Sequence, residues 1–267
     1  MLNAAQIKAA AKRLDQAETS LQQTELMSVS YPDMTMGDAY AIQYGWVDEK
    51  IARGRKVIGH KIGLTSRAMQ QALNIDIPDS GILFDDMLFE NGATIAKGRF
   101  IQPRIEAEIA FVMKQDLCGD NLTVADVLDA TDYIAPSLEI LDTRIFRKCP
   151  TTGVQRIVFD TISDNAANAG IVLGSGKADP RDVDMRWLGA ILSVNGNVES
   201  TGLGAAVLND PALSVLWLAQ RLAQYNDTIR AGEIILSGSF IAPIETKSGD
   251  HFNADFGNFG SVDLHFE

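Results

Sequence analysis

The chain predicts an α+β fold with its helices gathered at the front, and three observations carry that prediction. Apolar residues recur at helical spacing through residues 4–24 and again from about 37 to 53. The run from Arg104 then changes to a period of two, with Ile105, Ala107, Ile109 and Phe111 alternating against Arg104, Glu106, Glu108 and Ala110. The last part is glycine-rich and reads as short strands at 233–237, 240–246 and 262–266. These shifts set the expected organisation: an N-terminal helical lobe over 1–55 and a strand-rich part over 56–267.

The composition narrows the function classes. The chain has 267 residues, 46% of them apolar, which suits one large globular unit with a small N-terminal appendage. A net charge of −12 argues against non-specific nucleic-acid binding, which draws on clustered Lys and Arg. No apolar run reaches the roughly 20 residues of a membrane span, and the first residues lack the apolar core of a signal peptide. Cys118 and Cys149 have no metal or redox spacing, so a reducing cytoplasm is the expectation.

Each element has its own local signals. Asn3 caps the first helix, whose stripe is Ile7, Ala10, Leu14, Ala17 and Leu21. Thr35 with Asp38 forms a capping signature for the second helix, and Gly54 stands where it should end. Residues 56–63 read as a short strand in which Gly59 and Gly63 flank Lys61 and permit close approach. His60 shares its face with Ile58 and Ile62 and reads as a satisfied structural histidine. Lys61, a cation in an apolar strand, calls for a paired anion or a depressed pKa. A helix-like stretch, 67–73, follows, and then Asp79 in a Pro-x-x-Gly turn, where an aspartate commonly bonds its own backbone.

The strand from Arg104 is the centre of the chain. Glu106 and Glu108 share one face, roughly 6–7 Å apart at Cα. A solvated face is one reading; yet Phe111-Val112-Met113 continues the strand in an apolar run, which suggests burial on both faces. Buried carboxylates need a partner, and a hard divalent cation is the simplest. A helix at 122–130, capped by Thr123 with Asp126, leads into the strand-like run 133–141, where Glu139 interrupts apolar neighbours. Strand, helix, strand suggests a parallel crossover that brings Glu139 beside the pair.

Past that point, Arg144, Arg147 and Lys148 form a basic patch that reads either as a solvated loop or as an anion site. Residues 159–168 are polar, irregular or helical. Asn195-Gly196 is a hairpin turn, and Asp210-Pro211 starts an apolar helix to about Tyr225. Ser237-Gly238-Ser239 either offers backbone N–H groups to an anion or is an ordinary turn.

Gly59-His60-Lys61-Ile62-Gly63-Leu64-Thr65-Ser66, Pro78-Asp79-Ser80-Gly81, Arg104-Ile105-Glu106-Ala107-Glu108, Leu138-Glu139-Ile140-Leu141-Asp142 and Asp164-Asn165 occur in that order. As an ordered set they resemble the hydratase/decarboxylase branch of the fumarylacetoacetate hydrolase superfamily, along essentially the whole chain. The resemblance implies a mixed β-roll rather than a doubly wound sheet. It implies Mg²⁺ or Mn²⁺ held by Glu106, Glu108 and Glu139, with Lys61 and Asp79 as catalytic groups. It also implies a homo-oligomer, a pentamer or a pair of them. The implied reaction is addition of water to a 2-hydroxydienoate or 2-oxo-enoate. The seven-carbon 2-oxo-hept-3-ene-1,7-dioate of aromatic catabolism, giving 4-hydroxy-2-oxoheptane-1,7-dioate, is the leading substrate. The distal carboxylate of such a diacid calls for a cation, with Arg104, Arg144, Arg147 and Lys148 as candidates and Ser237 as a further substrate contact. Hydrolases of the wider superfamily activate water with a His–Glu pair, and only His60 is available here, so C–C hydrolysis is disfavoured. A 2-oxo-3-enedioate decarboxylase on the same scaffold is the alternative, and a non-catalytic, metal-stapled oligomer a more distant one.

Overall fold

The computed structural model describes residues 1–67, 70–71, 77–119 and 121–267. The expected helix-like stretch 67–73 lies largely outside the described residues. Three helices come first: α1 (Ala4–Ser20), α2 (Met27–Ser30) and α3 (Met36–Ala52). The capping signals act as expected, since the Asn3 and Thr35 side chains each accept from the backbone N–H three residues on. Gly54 follows α3 with φ of 92°.

Among the described residues thirteen strands follow, in two sheets. The larger contains β1 (Val57–Gly63), β2 (Asp79–Phe84), β3 (Leu88–Phe89), β5 (Arg104–Met113), β6 (Thr131–Leu141), β7 (Asn168–Leu173), β10 (Ile234–Ser239) and β11 (Ile244–Glu245). Its order is β2-β1-β10-β5-β6-β7-β3, with β11 also on β5. The smaller sheet runs β4-β13-β12-β8-β9, from β4 (Thr94–Ile95), β8 (Gly189–Val194), β9 (Asn197–Leu203), β12 (His251–Asp255) and β13 (Ser261–Phe266). Parallel pairs (β1 with β10, β3 with β7, β4 with β13) sit among antiparallel ones, as the mixed β-roll requires. The interior of the roll is one apolar cluster drawn from both sheets, including Ile105, Ile109 and Leu138 from the larger and Leu192, Phe252 and Leu264 from the smaller.

One expectation is corrected. β5 and β6 are antiparallel, not parallel. The helix between them, α4 (Val124–Ala130), has its predicted Thr123–Asp126 cap, and β6 starts at the next residue. Seven helical residues span about 10 Å, whereas the ten of β5 span about 33 Å. So short a helix cannot carry the chain back to the start of β5, and the strand returns beside it instead.

Two further helices among the described residues are α5 (Val158–Ser163) and α6 (Pro211–Ala223), the latter capped by Asp210. α1 and α3 bury Leu14, Ile42 and Trp46 against Ile82 and Phe84 of β2, together with Ile145 and Ile162. The helical layer thereby backs the strand that carries Asp79.

Candidate metal site

β5 alternates as predicted. Ile105, Ala107, Ile109 and Phe111 are fully buried in the roll interior, and Glu106 and Glu108 face a cavity on the other side. The antiparallel register sets Glu106 opposite Glu139 and Glu108 opposite Ser137. Carboxylate oxygens of Glu106, Glu108 and Glu139 lie within 4.8 Å of one another. Glu108 and Glu139 are 1% and 0% exposed.

Few protein donors reach these oxygens. Glu108 Oε2 accepts from the Gly238 backbone N–H at 2.8 Å, and Glu139 Oε1 accepts from Asn168 Nδ2 at 2.7 Å. Among the described residues Glu139 Oε2 has no partner. Burial, then the mutual repulsion of the carboxylates, pushes Glu106 up to about 8 and Glu108 well above the ordinary range. Glu139 is raised by burial, with Lys61 and Asn168 pulling it back. Three carboxylates this close and this dry do not ionise together without a cation. An oxygen-only donor set with an orphaned carboxylate oxygen fits a hard dication such as Mg²⁺ or Mn²⁺.

Lys61 approaches from β1, on the far side of β10. Its Nζ lies 3.4 Å from Glu139 Oε1 and donates to the Ala166 carbonyl at 2.9 Å. Burial opposes its charge, yet Glu139 and then Asp79 hold its pKa above the ordinary lysine value. Gly63 and Asp79 are register partners in β1 and β2, and Gly63 leaves the room the pair needs: a Cβ there would sit 2.2 Å from Asp79 Oδ1 and 3.0 Å from Lys61 Nζ. Asp79 is buried with neither oxygen bonded among the described residues, and burial raises its pKa against the pull of Lys61 and Arg156. The other predicted glycine, Gly59, serves a backbone approach: a Cβ would meet the Ile234 carbonyl oxygen at 1.9 Å.

The Ala166 carbonyl is aimed by an unusual turn. Asn165, Ala166 and Ala167 have φ of 52°, 51° and 61°, a left-handed run disfavoured for residues with a Cβ. Asn165 pins it to β2, donating to the Ile82 carbonyl and accepting from the Ile82 N–H. Arg144 closes it from below, through the Asp164 carboxylate and the carbonyls of Asp164 and Asn168.

The cavity beside these groups measures about 250 Å³. Lys61, Asp79, Glu106, Glu108 and Arg104 line it; Arg144, Arg147 and Ser237 do not. Arg144 is 1% exposed and spent on Asp164. Arg147 pairs with Glu245 outside the cavity. Ser237 is buried with its hydroxyl unbonded among the described residues, and the anion its turn serves is Glu108, through Gly238. His60 faces away, 3.6 Å from Glu233, with burial pushing its pKa down to about 4. Reading the sequence missed Arg156, Asn168 and the 165–167 turn. Asp164-Asn165 was the only local signal, and it carried no geometry.

No family model matches the chain. It is 51% identical to the 2-oxo-hept-4-ene-1,7-dioate hydratase of Escherichia coli, covering 96% of each chain. It is 42% identical to a 2-keto-4-pentenoate hydratase of Paraburkholderia xenovorans, over 97% of this chain and 94% of that one. The structure superposes on 4-oxalocrotonate decarboxylase from Pseudomonas putida G7, complexed with magnesium and adipate, with a TM-score of 0.94 and 33% identity. That match covers 100% of this chain and 99% of the other.

Proposed function

We infer the function from the family to which this chain belongs, the 2-oxo-enoate hydratases and decarboxylases of the fumarylacetoacetate hydrolase superfamily. The protein is a metal-dependent hydro-lyase of aromatic catabolism that adds water to a 2-oxo-enoate. Its substrate is the seven-carbon diacid 2-oxo-heptene-1,7-dioate, and its product 4-hydroxy-2-oxoheptane-1,7-dioate. The observation that carries the reading is the convergence of Glu106, Glu108 and Glu139 beside a cavity that also holds Lys61 and Asp79.

Glu106, Glu108 and Glu139 would hold Mg²⁺ or Mn²⁺. When bound, the dication polarises the C2 carbonyl of a 2-oxo acid and favours negative charge on its oxygen. Lys61 Nζ, already held by the Ala166 carbonyl, would donate to that oxygen as charge develops, or carry its proton. Asp79, kept protonated more readily by its burial, would deliver a proton farther along the chain and take it back. The ketones with the double bond at C3 or C4 share one 2-hydroxydiene. Protonating that dienol at C5 gives the conjugated 3-ene, to which water adds at C4.

Disappearance of the 2-hydroxydiene absorbance, with and without EDTA, tests the assignment. Loss on chelation and recovery on adding Mg²⁺ are expected; turnover indifferent to EDTA would overturn it. A decarboxylase would release CO₂ from a 2-oxo-3-enedioate, and no CO₂ is expected.

Self-association also belongs to this reading. Trp187, Ile191, Val198 and Leu203 are exposed in the β8–β9 region, with Trp187 at 72%, an apolar patch suited to a second copy. Sedimentation is expected to show a homo-oligomer, a pentamer or decamer. Among the described residues no helix is long and apolar enough to cross a membrane, and a cytoplasmic location is part of the proposal.

A further inference from the structure

The cavity is also lined by two arginines that the chemistry at the glutamates leaves unused. Arg104 opens β5 two residues before Glu106, and Arg156 stands just before α5; both line the cavity. Among the described residues Arg104 Nε and Arg156 Nη1 are buried without a hydrogen-bond partner. The neighbouring arginines differ: Arg144 is paired with Asp164 and Arg147 with Glu245, whereas no ion pair forms at Arg104 or Arg156 among the described residues. Two half-buried guanidinium groups that line one cavity, each with a buried N–H left unbonded and no ion pair among the described residues, offer those donors to an anionic ligand.

The backbone presents Arg156 deliberately. The 149–154 turn is closed by hydrogen bonds between Cys149 and Val154 and between Gly153 and Cys149, and the Arg156 N–H then donates to the Arg147 carbonyl. The same cavity lining includes aliphatic Leu141, Val158 and Ile241. A cavity lined by carboxylates, aliphatic side chains and two guanidiniums matches a 2-oxo acid that carries a second carboxylate.

We propose that Arg156, with Arg104, reads the distal carboxylate of the substrate and so sets the preference for dicarboxylic over monocarboxylic 2-oxo acids. The proposal rests on the hydratase reading for its substrate class. Guanidinium suits the task because its fork donates two parallel hydrogen bonds to one carboxylate. A monoacid leaves those donors unpaired, which is how a polar site rejects a shorter analogue.

The test uses saturated ligands of equal length that cannot be hydrated, 2-oxoheptanedioate and 2-oxoheptanoate, bound to the Mg²⁺-loaded protein in calorimetry. Wild type is expected to prefer the diacid. Arg156→Met should weaken the diacid about 30-fold and the monoacid by less than about threefold, the loss of a charged hydrogen bond. Arg156→Lys keeps charge and most of the volume and should recover part of the preference, which separates carboxylate reading from a folding defect. A diacid-to-monoacid ratio unchanged within about threefold in Arg156→Met, or equal weakening of both ligands in both variants, overturns the proposal. If wild type and variants show the predicted binding pattern but no 2-hydroxydiene is consumed, the hydratase reading fails and the dicarboxylate subsite stands.

Discussion

The two faces of β5 do opposite things: the core face is buried throughout, and the site face is buried at Glu108 and partly open at Arg104 and Glu106. Ile105, Ala107, Ile109 and Phe111 fill the roll interior, where burial of apolar surface stabilises the fold. Glu106 and Glu108, one residue out of phase, face Glu139 across the register, where burial of like charges destabilises it. Together they teach that one strand can hold a strained anionic site because its other face anchors it. β1 repeats the contrast on a smaller scale: Lys61 is held charged by carboxylates on one face, while His60 is held neutral by burial on the other.

Breaking the site face should cost function and not fold. Glu108→Gln keeps an acceptor for the Gly238 N–H but removes one carboxylate, and kcat/KM should fall at least about 10³-fold. In EDTA the same variant should melt higher than wild type, because a buried carboxyl that must take up a proton on folding at neutral pH is replaced by a neutral amide. Lys61→Met should lower kcat by about 10²–10³-fold through the loss of a donor at the developing oxyanion. Unlike the glutamate change, it should tighten Mn²⁺ binding, because a cation 3.4 Å from Glu139 is removed.

Breaking the core face should do the reverse. Ile109→Ala leaves a cavity in the roll interior and should cost about 2–5 kcal/mol in urea unfolding, with metal stoichiometry unchanged. The smallest effect sharpens the β1 contrast. With His60 depressed to about 4, the unfolded chain takes up its proton near pH 6.5 and the folded chain does not until about pH 4. Stability contributed by keeping this ring neutral is therefore full above pH 6.5 and lost as pH falls towards 4, by on the order of 3 kcal/mol. A His60→Gln variant should flatten that part of the stability–pH profile.

Much of this was legible from residue order. The period of two on β5 fixed which residues are core and which are site, and the caps at Asn3, Thr35 and Thr123 fixed three helix starts. Glu139 was singled out as an acid in an apolar strand, and its place beside Glu106 came out as expected by a different route, an antiparallel return rather than a crossover. What stayed hidden depends on contacts distant in sequence. Nothing local marks the Ala166 carbonyl as a partner for Lys61 105 residues away, because its left-handed turn is imposed by Asn165 and Arg144. The arginines could not be sorted from sequence alone: Arg144 and Arg156 differ only in whether Asp164 or the cavity receives the side chain.

Mn²⁺ titration followed by electron paramagnetic resonance, on wild type and on Glu108→Gln with its fold checked by circular dichroism, tests the central claim most directly. One tight Mn²⁺ per chain in wild type, weakened at least about 100-fold in the folded variant, is the predicted result. Equal binding in both proteins, or none in either, would contradict it.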